Sequence, residues 1–137
     1  MRRLRPALSL AGLVLAFGGC GAGYPDLMLV ERSGSLPGAR LTLLVNDGGT
    51  VRCNGGREIQ MPPRPLLDAR EIVRDLELEA MEDLVLPRRR GALLRFRLND
   101  EHGSVTFSDV DGVNRQKLGR LVAFTRTVAQ DVCGLVR

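Results

Sequence analysis

The chain has 137 residues, a formal net charge of +4, 44% hydrophobic residues and no tryptophan. Once a targeting segment is set aside, that length suits one compact domain with one core and excludes two. The basic excess is not a nucleic-acid signature: Arg2, Arg3 and Arg5 supply three of the four net charges, so residues 20–137 stand at +1. A concentrated basic face with interleaved aromatics, which such binding requires, is missing from the pattern.

Residues 1–19 read as an export signal. Arg2, Arg3 and Arg5 form a basic start, Ala7 to Phe17 is almost unbroken apolar, and Gly18 and Gly19 lead into Cys20. That is the order of a secretory signal. About eleven apolar residues fall well short of the roughly twenty that span a hydrocarbon core. A cysteine directly after small residues resembles the lipobox of bacterial lipoproteins, with Phe17 and Gly18 where Leu and Ala or Ser are usual. The resemblance implies acylation of Cys20, a lipid anchor in the cell membrane and a mature chain that begins there; without acylation the protein is extracellular. Cys53 and Cys133 are then an even pair in an oxidising compartment. A bridge between them closes a loop of roughly 80 residues and contributes about 3–5 kcal/mol; two separate buried thiols are the alternative. With His102 the only histidine and no CxxC, zinc coordination is one ligand short.

Residues 20–26 form a short tether, and residues 27–137 form one α+β domain. Leu27 to Ser33 (LMLVERS) predicts a first strand, followed by the Gly/Pro loop Ser33 to Ala39. Arg40 to Asn46 and Thr50 to Asn54 flank Asp47-Gly48-Gly49, a strong hairpin signal because these residues tolerate positive φ. Arg57 to Gln60 continues that ladder briefly. Met61 to Pro65 introduces a helix, since proline is accommodated at the first helical position. Leu66, Ala69, Val73, Leu76 and Ala80 then recur at three- and four-residue steps, predicting one helix to about Glu82. Leu94, Phe96 and Leu98 alternate with Arg95 and Arg97, and Val105 and Phe107 alternate again after the turn at Asn99 to Gly103, a second hairpin with one buried face. A closing helix runs from near Asn114 to Cys133 along Leu118, Leu121, Val122, Thr125, Val128, Ala129 and Val132, with Gly134 at its cap. The expected architecture is an antiparallel sheet of four to five strands with two helices packed on one face.

No catalytic constellation emerges, and the pattern points to no enzyme and no cofactor. His102 sits in a polar turn and reads as solvated, with no nucleophile fixed beside it. Glu77, Glu79, Glu82 and Asp83 spread around a solvated helix face. Asp109 to Asn114 lacks the bidentate Glu of a calcium loop and reads as a turn with Asx capping. Arg88-Arg89-Arg90 reads as a solvated loop, which also suits anionic headgroups at about 1 kcal/mol per residue if Cys20 is lipidated.

The segment with a recognition character is Ser33–Ala39: small, glycine-rich, with Leu36-Pro37 between Gly34 and Gly38, directly after a strand. The stretch Arg32-Ser33-Gly34-Ser35-Leu36-Pro37-Gly38-Ala39-Arg40 resembles the RSGGFAG-type segment of the emfourin family of protealysin inhibitors. Gly34 and Gly38 match its glycines, while Ser35 and Leu36 stand where the pattern has Gly and Phe. The order of a DG-turn hairpin, a proline-introduced helix, a hairpin around Phe96 and Phe107 and a final helix is also similar. The resemblance implies a small α+β fold and inhibition of thermolysin-like metalloproteases. The expected function is a non-enzymatic, lipid-anchored envelope domain, monomeric, whose residues Arg32, Ser33, Gly34, Leu36, Pro37 and Gly38 contact a protein partner; the alternative is metalloprotease inhibition through the same loop.

Overall fold

The computed structural model describes residues 23–135. The export signal, Cys20 and the first part of the tether lie outside the described residues. β1 (Asp26–Gly34), β2 (Leu41–Asn46), β3 (Thr50–Cys53) and β4 (Glu58–Gln60) are followed by α1 (Pro63–Asp75) and α2 (Glu77–Met81). Then come β5 (Leu94–Asn99), β6 (Ser104–Ser108), α3 (Asp109–Asn114), α4 (Gln116–Thr127) and a π-helical turn, Val128–Val132. The six strands form one antiparallel sheet in the order β4-β3-β2-β1-β5-β6. The class is α+β.

Period-two alternation decides the faces. Met28, Val30, Leu41, Leu43, Val45, Val51, Phe96, Leu98, Val105 and Phe107 are all buried on one face, with Phe96 and Phe107 stacked at 5.4 Å across the β5–β6 pair. Ala69, Ile72 and Val73 of α1 and Leu118, Leu121 and Phe124 of α4 join them in a single apolar cluster. The opposite face carries Glu31, Thr42, Leu44, Arg95, Arg97 and Thr106, all half-buried or exposed. Both sheet edges are protected. β4 is only three residues long, and the Leu84–Leu86 segment lies along β6, where Leu86 N–H donates to the Thr106 carbonyl and Thr106 N–H to that of Leu84, each at 2.8 Å.

The structure corrects several expectations. Among the described residues there are six strands because Asn54 and Gly55 turn the chain (φ +51° and +71°), so Glu58–Gln60 folds back on β3 as a separate strand rather than extending it. The helix expected to reach Glu82 breaks at Leu76 (φ −102°, ψ 7°), although Leu76 and Ala80 are both buried as the stripe requires. Asp109–Asn114 is a short helix and not a turn: Ser108 N–H donates to Asp111 Oδ2 at 2.9 Å, a capping interaction that reaches three residues forward. Among the described residues, four helices and a π-helical turn therefore stand in place of two helices. Part of the expected tether is docked, since the Tyr24 carbonyl accepts from Asn46 Nδ2 at 2.6 Å and the Pro25 carbonyl from Asp47 N–H at 2.9 Å.

Cys53 and Cys133 form a disulfide, with their Cα atoms 6.2 Å apart. The π-helical turn leads directly into it, Cys133 N–H bonding the Val128 carbonyl at 2.9 Å, five residues back. One wide turn rotates the chain relative to the α-helical path, and the bridge ties this end of the helical layer to β3. Among the described residues, no helix is long and apolar enough to cross a membrane.

Candidate functional site

Of the expected Ser33–Ala39 loop, Ser33 and Gly34 close β1, paired with Arg95 and Leu94, and the loop proper starts at Ser35; it is built by local chemistry. Ala39 N–H donates to the Leu36 carbonyl at 3.0 Å, closing a four-residue turn with Pro37 and Gly38 at its centre. Gly38 has φ +72°, and proline followed by a positive-φ glycine is the combination that a type II turn favours. Gly34 has a different reason: a Cβ there would run into the Leu93 carbonyl, because β1 and the start of β5 meet at this point and Ser35 N–H donates to that carbonyl at 3.2 Å. Both glycines of the motif therefore answer backbone demands. Leu36 stays 44% exposed at the tip and Ala39 is buried beneath it.

Arg32 holds the loop. It continues the alternation of Met28 and Val30, so it lies on the core face of β1, paired in register with Leu41 and Phe96. Its Nε donates to the Ala39 carbonyl at 2.9 Å and an Nη to the Gly38 carbonyl at 3.1 Å, so the guanidinium braces the turn from below. Partial burial lowers its pKa, and the positive charge of Arg126 lowers it further. Together with Pro37, Leu94, Arg126 and Gln130, the loop and Arg32 line an open groove of about 530 Å³. Ser33 and Gly34 are exposed at the strand end, outside that lining. Arg32, Leu36, Pro37 and Gly38 are neighbours in the sequence, whereas Arg126 and Gln130 come from the far end of the chain and no local pattern links them to the loop; the one signal in the sequence is a cation on the core face of a strand.

Several charged groups of the helical face are paired across elements. Arg120 donates to Asp75 and Glu71, each at 2.6 Å, tying α4 to α1. Its hydrogen bond and charge hold the Glu71 carboxyl below its usual range. Lys117 reaches Glu79 at 3.0 Å, and Arg70 reaches Asp47 at 2.8 Å. Burial raises the Glu79 carboxyl, but hydrogen bonding and the Lys117 charge outweigh it and the net direction is down. Arg89, from the basic run expected to be solvated, is tied to the buried Asp111 at 3.2 Å.

At the opposite end of the sheet, the β5–β6 turn departs from the expectation of a solvated His102. Its side chain is only 29% exposed, with Nε2 3.8 Å from Glu77 and Nδ1 3.6 Å from Asp100. The Asp100 side chain is fully buried, and its Oδ1 accepts the N–H groups of His102 (2.7 Å) and Gly103 (3.2 Å). The nearby Ser104 hydroxyl donates to Asp83 at 3.1 Å rather than to the imidazole. Among the described residues, no cluster of three or more His, Cys, Asp or Glu side chains is arranged to hold a metal ion. No family model, no curated protein and no solved structure matches this chain.

Proposed function

We infer that this is an exported, lipid-anchored cell-envelope protein whose α+β domain docks a protein partner through the Ser33–Ala39 loop and carries out no catalysis. The observation that supports this most is the braced loop: an exposed apolar tip held on a rigid sheet by two hydrogen bonds from a half-buried arginine. A loop that is already ordered loses little conformational entropy on binding, which is what a docking element requires. The Cys20 segment supports the anchor, and the Cys53–Cys133 bridge suits an oxidising compartment. The intact mass of the exported protein tests the anchor: a diacylglyceryl mass on an N-terminal Cys20 is expected, and a lipid-free mature chain starting elsewhere refutes it. A photocrosslinking residue at position 36 tests the docking: adducts formed in the envelope from that position, and not from Glu101 at the far turn, are expected. Equal or absent crosslinking at the two positions overturns it.

The second reading, inhibition of thermolysin-like metalloproteases, draws on the Arg32–Arg40 motif and on the same braced presentation. Titration of the full chain against a panel of such proteases decides it: tight inhibition lost on Leu36→Asp is expected under this reading, and undiminished turnover by every protease refutes it.

A further inference from the structure

We propose that the groove beneath the Ser33–Ala39 loop is a receptor for an acidic, apolar-flanked peptide segment of the partner, with a carboxylate seated between Arg32 and Arg126. This inference rests on the docking reading above and adds the chemistry of what docks. The described ion pairs engage Arg52, Arg70, Arg89, Lys117 and Arg120, and neither Arg32 nor Arg126 has a carboxylate partner among the described residues. Asp109 shares a second shallow groove with Arg126, but its carboxylate is taken up by the N–H groups of Leu93, Leu94 and Val110. Arg32 and Arg126 thus line the same groove with no carboxylate of the described residues to neutralise either; partial burial and the positive charge of Arg126 both disfavour the charged form of Arg32. Such an arrangement is unfavourable alone and becomes favourable when an anion enters, because a desolvated cation gains more from a partner than a hydrated one.

The shape of the site selects the kind of anion. Arg32 is recessed on the core face, and its fork already bonds two loop carbonyls, so a flat bilayer surface does not reach it whereas a single projecting side chain does. The rim is apolar, formed by Leu36, Pro37 and Leu94, and Gln130 offers an amide for a peptide backbone. A carboxylate flanked by aliphatic residues matches both features. An isolated small anion leaves the rim unused.

The test uses the isotope-labelled full chain and three probes: the hexapeptide acetyl-GLELEG-amide, its neutral counterpart acetyl-GLQLQG-amide, and sodium acetate. The acidic peptide is expected to shift the amide signals of Arg32, Leu36, Gly38 and Arg126, to bind at least tenfold more tightly than the neutral peptide, and to weaken as salt rises. Arg126→Glu, at an exposed position, is expected to abolish that binding with a melting temperature no lower than the parent's; Arg32→Lys keeps the charge but loses the fork and weakens it less. Equal binding of both peptides, saturation of the same signals by acetate alone at equal concentration, or unchanged affinity in Arg126→Glu overturns the proposal. Arg126-dependent binding to anionic phospholipid vesicles with no response to the peptide also overturns it, in favour of a headgroup site. If crosslinking at position 36 persists while the acidic peptide fails, the docking reading stands and only its chemistry is lost.

Discussion

The two ends of the sheet handle charge in opposite ways. At the β1–β2 end, Arg32 and Arg126 face one open groove without an acid. At the β5–β6 turn, one histidine lies among Glu77, Asp100 and Glu101, and the Asp100 Oδ2 has no hydrogen-bond partner. Between them, the helical layer is stapled by pairs such as Arg120 with Glu71 and Asp75. Paired charges fix how elements sit on one another, whereas a cation recessed beneath an apolar rim with no acid beside it leaves its charge free for an incoming group. At the acidic end the Asp100 carboxylate is buried by its own turn and accepts the N–H groups of His102 and Gly103, so the charge there serves the hairpin.

The contrast can be broken first at the bridge, which ties the end of the groove's helical wall to β3. Cys53→Ser with Cys133→Ser is expected to lower stability by about 3–5 kcal/mol, read by thermal unfolding with and without reductant; an unchanged melting temperature would mean that the wall stands without it. Gly34→Ala comes next. Its Cβ meets the Leu93 carbonyl, so a loss of about 1–3 kcal/mol is expected, together with displaced amide signals at the loop and none at the β5–β6 turn. Arg32→Ala removes two hydrogen bonds to the turn and is expected to lower stability by about 1–2 kcal/mol and to speed proteolytic cleavage within residues 35–38. If cleavage there stays as slow as in the parent chain, Arg32 is not the brace.

The smallest effect lies in the stapled layer. Glu71 has its pKa lowered from 4.5 in the folded state, so its stabilising contribution is present above that value and is lost as pH falls through the lower folded one. The parent melting temperature should therefore fall on the acid side of pH 4.5. Glu71→Gln is expected to lower it slightly at neutral pH and to flatten the acid limb. An identical acid limb in parent and variant would show that the Arg120 pair contributes nothing measurable, as many exposed pairs do.

Much of this molecule is legible in its sequence, wherever the information is local. Period-two alternation placed Phe96, Leu98, Val105 and Phe107 inside, the three- and four-residue steps placed Ala69, Val73, Leu118 and Leu121 there too, and cysteine arithmetic identified the pair that is bridged. The Pro37-Gly38 turn was visible as a loop with an apolar tip. Boundaries were harder to read where side chains from elsewhere intervene. The break at Leu76 leaves the apolar stripe intact, so periodicity cannot show it, and the helix after Ser108 depends on an Asp111 contact that looks like an ordinary turn in one dimension. Only the tertiary structure brought Arg126 and Gln130 to the loop. They are separated from Arg32 by nearly the whole domain, and no local propensity records that α4 crosses the sheet there. Burial, charge repulsion and hydrogen-bond pairing belong to groups in space, so the electrostatics of this groove became visible only once the chain had folded.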